Sequence, residues 1–308
     1  MKFATICIYA CARGSEKVII ALIMTQKLLI INADDFGVSE SVNRAVIAGW
    51  QNGLLTSASL MVTGDAFKEA VQLARMNPGL QVGLHLALVQ GRAAVRHKGY
   101  PLLTHQDGRF PDDPVFAGMR MFFLTSLRKQ LEIEIEAQIV KFIETGLPLS
   151  HLDGHLNIHM HPTVFAILCR LMPKYGISTF RLSRERLCTE LRLSSERVFE
   201  KAVAALIFGR LAKQCLPELR MRRIGFAAEV KGTLNSGRMT EDYLLKCLDT
   251  LQEGLTEIYI HPADADNQLM PDYRHVEEMA AVASRKVLEK IKTLGITLCN
   301  YRGEAKHV

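Results

Sequence analysis

At 308 residues, 48% hydrophobic and 23% charged, with 21 Gly and 10 Pro, the chain has the composition of an ordinary soluble globular protein, not a disordered or fibrous one. Its formal net charge of +6 is spread along the chain, apart from a knot at Arg220, Arg222 and Arg223, and no aromatic-interleaved basic stripe points to nucleic acid. Seven scattered cysteines without a CxxC pair indicate neither a zinc ribbon nor a disulfide framework, so reduced thiols in a cytoplasmic protein are the plain reading.

Met1–Ala12 is a short apolar run after a single Lys2, with weak signal-peptide character, and Val18–Met24 is a second. Both fall below the roughly 20 residues needed to span a bilayer. The fold is expected to begin near Met24, with residues 1–26 an extension outside it and 27–308 a single domain. A chain starting at Met24 is then expected to keep full activity.

Lys27–Ala33 is a continuous apolar run that stops at Asp34-Asp35, as a strand buried on both faces of a parallel sheet reads. Ser39 can cap a helix to Asn52, with Val42, Ala45, Val46, Gly49 and Trp50 on one face and Gly53 as its stop. A strand at Ser57–Val62, a helix at Asp65–Asn77 closed by Pro78, and a strand at Gln81–Leu86 follow. Residues 87–125 read as irregular, and an insertion of this length is usually functional. Next come a helix over 126–145, a strand at Leu149–Asp153 and a helix from Pro162 to about Tyr175. Further strands are expected at 177–182, 223–228, 256–260 and 296–299. About eight strand–helix units in one domain fit a (β/α) barrel, distorted or incomplete, better than an open sheet.

Polar residues recur where the predicted strands end: Asp34-Asp35, His85, the His151/Asp153/His155 series and His261. In a parallel barrel all strand C-termini open on one face, so these residues would converge there. Two adjacent carboxylates repel unless a cation neutralises one, leaving the other as a base; the bland alternative is that one of them only caps the next helix. In Ser150–Pro162 (SHLDGHLNIHMHP), His151, Asp153, His155, Asn157, His159 and His161 all fall at odd positions. Four of the ten histidines in one stretch favour metal binding over separate structural roles. His85 alone reads more readily as a core histidine, and His261 is balanced between structure and chemistry. One carboxylate and two imidazoles leave positions open for water and substrate. Asp34 could then act as general base and His261 as proton donor to a leaving nitrogen.

The stretches LLIINADDFGVSESVNRAV, GLHLALVQGR, SHLDGHLNIHMHP and IYIHPAD resemble, in order and spacing, the YdjC/ChbG family of carbohydrate deacetylases, over about residues 27–303. The resemblance implies a (β/α) barrel of polysaccharide-deacetylase type. It also implies one divalent metal, magnesium by resemblance although imidazole ligands suit zinc, held by Asp35, His85 and His155, with Asp34 as base and His261 as acid. LHLALVQGR, RLSRERL and SGRMTEDYLL look closest to the hopanoid-biosynthesis-associated (HpnK-like) branch. That branch implies an N-acetylglucosaminyl hopanoid as substrate and places the enzyme in the cytoplasm or peripheral to the inner membrane. Where chitooligosaccharide-acting members carry adjacent histidines, this chain has His155-Leu156-Asn157, which leaves the sugar acceptor open.

In residues 197–226, Val198, Phe199, Ala202, Val203, Leu206, Ile207 and Leu211 form an apolar helical face rimmed by Arg197, Lys201, Arg210, Lys213, Arg220, Arg222 and Arg223. Such a helix can lie on an anionic membrane, but a barrel helix packed on its sheet is the favoured reading. The partners expected are therefore an acetylated amino sugar, lipid-linked or free, with membrane contact and a homodimer both allowed. Two other functions compete: a non-haem iron oxygenase, which shares the two-His-one-carboxylate triad, and an inactive glycan-binding barrel. The first has no use for the second Asp at 34, and the second has none for an intact base-plus-ligand set.

Overall fold

The computed structural model describes residues 26–95, 98, 101–265 and 270–306, so the N-terminal extension lies outside the described residues. Strands are β1 (Lys27–Phe36), β2 (Ser57–Leu60), β3 (Gln81–Leu86), β4 (Leu149–Gly154), β5 (Glu229–Lys231), β6 (Gly254–Ile260) and β7 (Ile296–Leu298). Helices are α1 (Glu40–Asn52), α2 (Phe67–Met76), α3 (Pro114–Phe123), α4 (Arg128–Ile143), α5 (Pro162–Lys174), α6 (Leu187–Leu193), α7 (Val198–Met221), α8 (Glu241–Asp249), α9 (His275–Val282) and α10 (Arg285–Thr293).

All strand pairs are parallel, in the order β4-β3-β2-β1-β6-β5, with β7 beside the first three residues of β1. The sheet curls into a partial barrel. Between β4 and β5 the wall is carried by isolated bridges, Leu152 with Phe180 and Thr179 with Gly225, rather than by strands. The expected strand at 177–182 is thus reduced to bridges. The one at 223–228 is displaced to β5, so seven regular strands stand among the described residues where about eight were expected.

The period-2 alternation of strands decides what lies inside. Leu29, Ile31, Ala33, Ala58, Leu60, Val82, Leu84, Leu86, Leu152, Ile258 and Ile260 point outward into the helix-packed core. Their neighbours point into the barrel. At the base these are apolar, with Leu28 and Ile30 packed on Cys299 and Tyr301. Toward the strand C-termini they are Asn32, Asp34, Ser59, His85, His151, Asp153 and Glu257, all buried. Gly83 belongs to this inner set because a Cβ there would sit 2.4 Å from His151 Cε1.

Caps place several helices. Ser39 Oγ accepts from Val42 N–H at the start of α1, and Asp113 accepts from Val115 and Phe116 N–H ahead of Pro114 in α3. Helix α3 lies inside the segment expected to be irregular. Its sequence, PVFAGMRMFF, is apolar nearly all round, so it carries no helical period to detect.

Helix α7 departs from the packed-helix reading. Its second half buries Ala212, Cys215 and Leu219, but Val198, Phe199, Val203, Leu206 and Ile207 in the first half are exposed. Lys201 is no rim charge, being buried against Glu190 at 2.8 Å. No helix among the described residues is long and apolar enough to cross a membrane. Cys169, Cys188, Cys215, Cys247 and Cys299 are free thiols.

Candidate functional site

Neighbouring residues on a strand face opposite sides, yet Asp34 and Asp35 both reach the barrel mouth. The register of β1 against β2 slips between Ala33 and Phe36, and Asp35 adopts φ +62°, a left-handed conformation that costs a non-glycine residue energy. The slip turns Asp35 back toward the interior. Strain of this kind is retained where function needs it.

Asp35, His85 and His155 come together as expected, with one ligand atom from each within 4.8 Å of the others. His85 Nε2 is 3.3 Å and His155 Nδ1 is 2.9 Å from Asp35 Oδ1. Asp35 Oδ2 is buried without a hydrogen-bond partner. Burial alone would raise the Asp35 pKa, but the facing His155 and His85 imidazoles hold it well below the ordinary carboxylate range. The far nitrogens are already fixed: His85 Nδ1 by Asp153 at 2.8 Å and His155 Nε2 by Gln90 Oε1 at 2.9 Å. A carboxylate behind a ligating histidine is the usual means of orienting it. A buried orphan acceptor between two oriented imidazoles fits a divalent cation, and these three side chains could hold one.

Asp34, His85 and Asp153 form a second such grouping, but its carboxylates are engaged elsewhere. Arg181, fully buried, donates Nη1 to Asp34 Oδ2 at 2.6 Å and Nη2 to Asp34 Oδ1 at 2.7 Å. It also pairs with Asp153 Oδ2 at 2.7 Å and Glu257 Oε1 at 2.5 Å. Asn32 donates to Asp34 Oδ1 and Ser59 to Asp153 Oδ2. Asp34 is therefore a clamped carboxylate beside the cation site.

His261 follows β6 with Nε2 4.0 Å from Asp34 Oδ2. Its backbone N–H donates to Glu278 Oε2 at 2.6 Å, and burial pushes its pKa down to about 4, so the ring is neutral at neutral pH. The rings of Tyr259 and Tyr273 meet it edge-on. A cleft of about 170 Å³ opens over Asp34, His155 and His261, walled by Asn157, Tyr259 and Tyr273 and by the apolar Leu156 and Phe208. That is small beside pockets for drug-sized ligands, about 300–1,000 Å³.

The histidine-rich segment does not stay extended. Strand β4 ends at Gly154, and His155–Met160 is a 3-10 turn with Leu156 and Asn157 at φ 53° and 57°. His155 is thus the only one of its four histidines at the cation site. His151 lies in the barrel against Ser59 and stacks on Tyr301 at 3.7 Å. His159 bonds Arg181 O and His161 bonds Gly118 O. Asp264 ion-pairs with Arg44 at 2.6 Å, away from the site.

Arg181, Asp153, Gln90 and Glu257 were not assigned from sequence. Glu257 was findable as a charged residue within an apolar strand (GLTEIYI), whereas Asp153 was already named in the series with His151 and His155 and lacked only a role. Arg181 gave no signal beyond its place in RLSRERL.

The chain is thus a parallel partial barrel that carries, at its strand C-termini, a buried Asp-His-His cluster able to hold a metal ion. The sequence profile of the YdjC-like protein family matches residues 28–293, and the chain belongs to that family. A carbohydrate deacetylase of Brevibacillus brevis is 36% identical over 149 residues, 48% of this chain and 57% of that one. A chitooligosaccharide deacetylase of Escherichia fergusonii is 29% identical over 286 residues, 90% of this chain and 98% of that one. Among solved structures, a candidate cellobiose-phosphate cleavage protein of Enterococcus faecalis V583 superposes with a TM-score of 0.69 at 25% identity, covering 91% of this chain and all of that one.

Proposed function

We propose that this chain hydrolyses the N-acetyl group of an amino sugar, releasing acetate and a primary amine. Asp35, His85 and His155 would hold one divalent metal ion, Asp34 would be the base and His261 the acid. The observation that carries the reading is the meeting of those three side chains around an unpartnered, buried Asp35 Oδ2. A divalent ion held there supplies an acidified water and a polarised carbonyl. The carbohydrate deacetylases among the relatives make the N-acetyl group the matching carbonyl.

The protein's own part is positioning and proton transfer. Arg181 and Asn32 fix both Asp34 oxygens in direction, and Oδ2, facing the cleft, keeps a lone pair for a proton from the attacking water. As the carbon–oxygen bond forms and the carbon–nitrogen bond breaks, the departing nitrogen needs that proton. His261 starts neutral, so it donates only after receiving one, and Asp34 Oδ2 stands 4.0 Å from its Nε2. Tyr259, Tyr273 and Asn157 line the cleft for a sugar ring.

The finer substrate is an N-acetylglucosaminyl hopanoid headgroup, on the resemblance to the hopanoid-associated branch and on the apolar Phe208 and Leu156 beside the polar wall. The alternative is a soluble chitooligosaccharide. Magnesium is favoured by resemblance and zinc by the two imidazoles. Peripheral contact with the inner membrane and a homodimer belong to the same reading. The test is incubation of metal-reconstituted protein with both substrate types under anaerobic conditions, following acetate and new amine by mass spectrometry. Product from neither substrate, or only with oxygen present, would reject the proposal.

A further inference from the structure

We infer that the catalytic face docks on an anionic lipid bilayer through two separate helices, α3 and the first half of α7. This deepens the lipid-linked reading, on which it rests for its purpose but not for its test.

Both helices flank the same segment. His161 Nε2 donates to Gly118 O of α3 at 3.1 Å, and Thr163 Oγ1 to Met121 O at 2.9 Å. Helix α7 packs on His155–Met160 and α5, and its Phe208 lines the cleft. Both helices therefore border the turn and helix that follow His155. Each helix leaves large apolar side chains in solvent. On α3, Val115, Met119 and Phe123 are 72%, 55% and 65% exposed; on α7, Phe199 and Leu206 are 80% and 62% exposed. Isolated exposed apolar residues need no explanation, but contiguous ones on helix faces beside a cleft do.

Charge selects the occupant. From Pro114 to Leu131 there is no carboxylate, while Arg120, Arg128 and Lys129 are present. From Ala202 to Leu216 there is again none, while Arg210 and Lys213 are present; at the start of α7 the exposed Glu200, beside Phe199, is paired with Arg197. Arg128, Lys129, Arg210 and Lys213 are all exposed. Apolar and aromatic anchors beside exposed, unpaired cations are the composition of helices that lie in an anionic interface. Neither helix can span the bilayer, so both lie on it.

The test is flotation of the full chain with phosphatidylcholine vesicles, with or without phosphatidylglycerol, and without any sugar substrate. Vesicle binding and acetate release are thus measured apart, and either can fail alone. The chain is expected to float with the anionic vesicles and to do so less at raised salt. Met119→Glu with Phe123→Glu, and Phe199→Glu with Leu206→Glu, should each cut the bound fraction at least tenfold. Arg128→Gln with Lys129→Gln should cut it about five-fold per residue, from the roughly 1 kcal/mol a basic residue gains near such a surface. Serine versions of the apolar pairs serve if a glutamate version melts early. The inference is overturned if wild-type chain does not float, or if both apolar pairs float as it does. It is equally overturned if lipid-free chain sediments as a dimer that these substitutions dissociate while vesicles capture nothing.

Discussion

Replacing Arg181 by lysine tests the ionic centre most directly. The guanidinium makes four contacts of 2.5–2.7 Å: two to Asp34, one to Asp153 and one to Glu257. A lysine ammonium reaching the same spot is a single point of charge. It cannot grip both Asp34 oxygens while also bonding Glu257 from the opposite edge. At least two charge-assisted bonds are lost, at about 1.5–3 kcal/mol each, so the loss is about 3–6 kcal/mol against a total stability of about 5–15 kcal/mol. For a chain of 308 residues this lowers Tm by roughly 6–24 °C, taking about 2–4 °C per kcal/mol. Circular dichroism melts would measure it. Activity should fall further than stability explains, because Asp34 loses the clamp that aims its free lone pair. Pairing Arg181→Lys with Asp34→Asn makes a double-mutant cycle in which the losses should be well short of additive. A melt within 2 °C of wild type together with additive losses would refute the clamp.

Three further outcomes follow from the same geometry. Asp34→Asn should lower kcat by about 10²–10⁴ while calorimetric metal affinity is kept, since the Asp35-His85-His155 grouping does not use Asp34; lost metal binding would favour the second grouping, with Asp34 in the ligand set. Asp153→Asn, which leaves His85 Nδ1 without its carboxylate, should weaken metal affinity about 10–100-fold in the same titration, and unchanged affinity would deny it the orienting role. His159, which burial pushes down to about 4, is neutral in the folded protein but charges in the unfolded chain below its ordinary 6.5. Its stabilising contribution is full above pH 6.5 and is lost as pH falls toward 4, about 3 kcal/mol at 1.36 kcal/mol per unit. His159→Asn keeps a donor for Arg181 O without titrating, so its stability should fall less steeply than wild type between pH 6.5 and 4; equal slopes in denaturant titrations would be fatal to the assignment.

The strands were legible where a side chain is buried on both faces or alternates cleanly. Gln81–Leu86 was read to the residue, as were the Ser39 cap and the Pro162 start, while the first strand, expected over Lys27–Ala33, runs on through Asp34 and Asp35 to Phe36. What failed has physical reasons. Residues 177–182 contact their neighbours through single bridges, a pairing that tertiary closure imposes and local pattern does not encode. Helix α3 is apolar nearly all round and so lacks a period. The odd-position rule for Ser150–Pro162 assumed a continuing strand, but Gly154 ends β4 and two left-handed residues rotate everything beyond His155. The first half of α7 was taken for a packed helix because an apolar stripe looks the same whether a sheet or something else covers it.

The division of labour between adjacent aspartates can be argued from charge alone, without the family resemblance. The barrel mouth buries the carboxylates of Asp34, Asp35 and Asp153, while burial raises Glu257 toward its neutral form. Arg181 is the one guanidinium among them, and His85, which despite its burial Asp153 raises to about 10, adds a second cation only until a metal takes its lone pair, so the carboxylates keep an excess of negative charge that a buried site does not tolerate without compensation. A divalent cation balances it. The guanidinium has spent its donors on Asp34, Asp153 and Glu257, and none reaches Asp35, whose Oδ1 meets only imidazoles and whose Oδ2 meets nothing. The uncompensated charge therefore lies at Asp35, and that is where a cation gains most. Asp34, paired with Arg181 and lining the cleft, is free of that demand, which is why the proposed mechanism gives it the proton transfer.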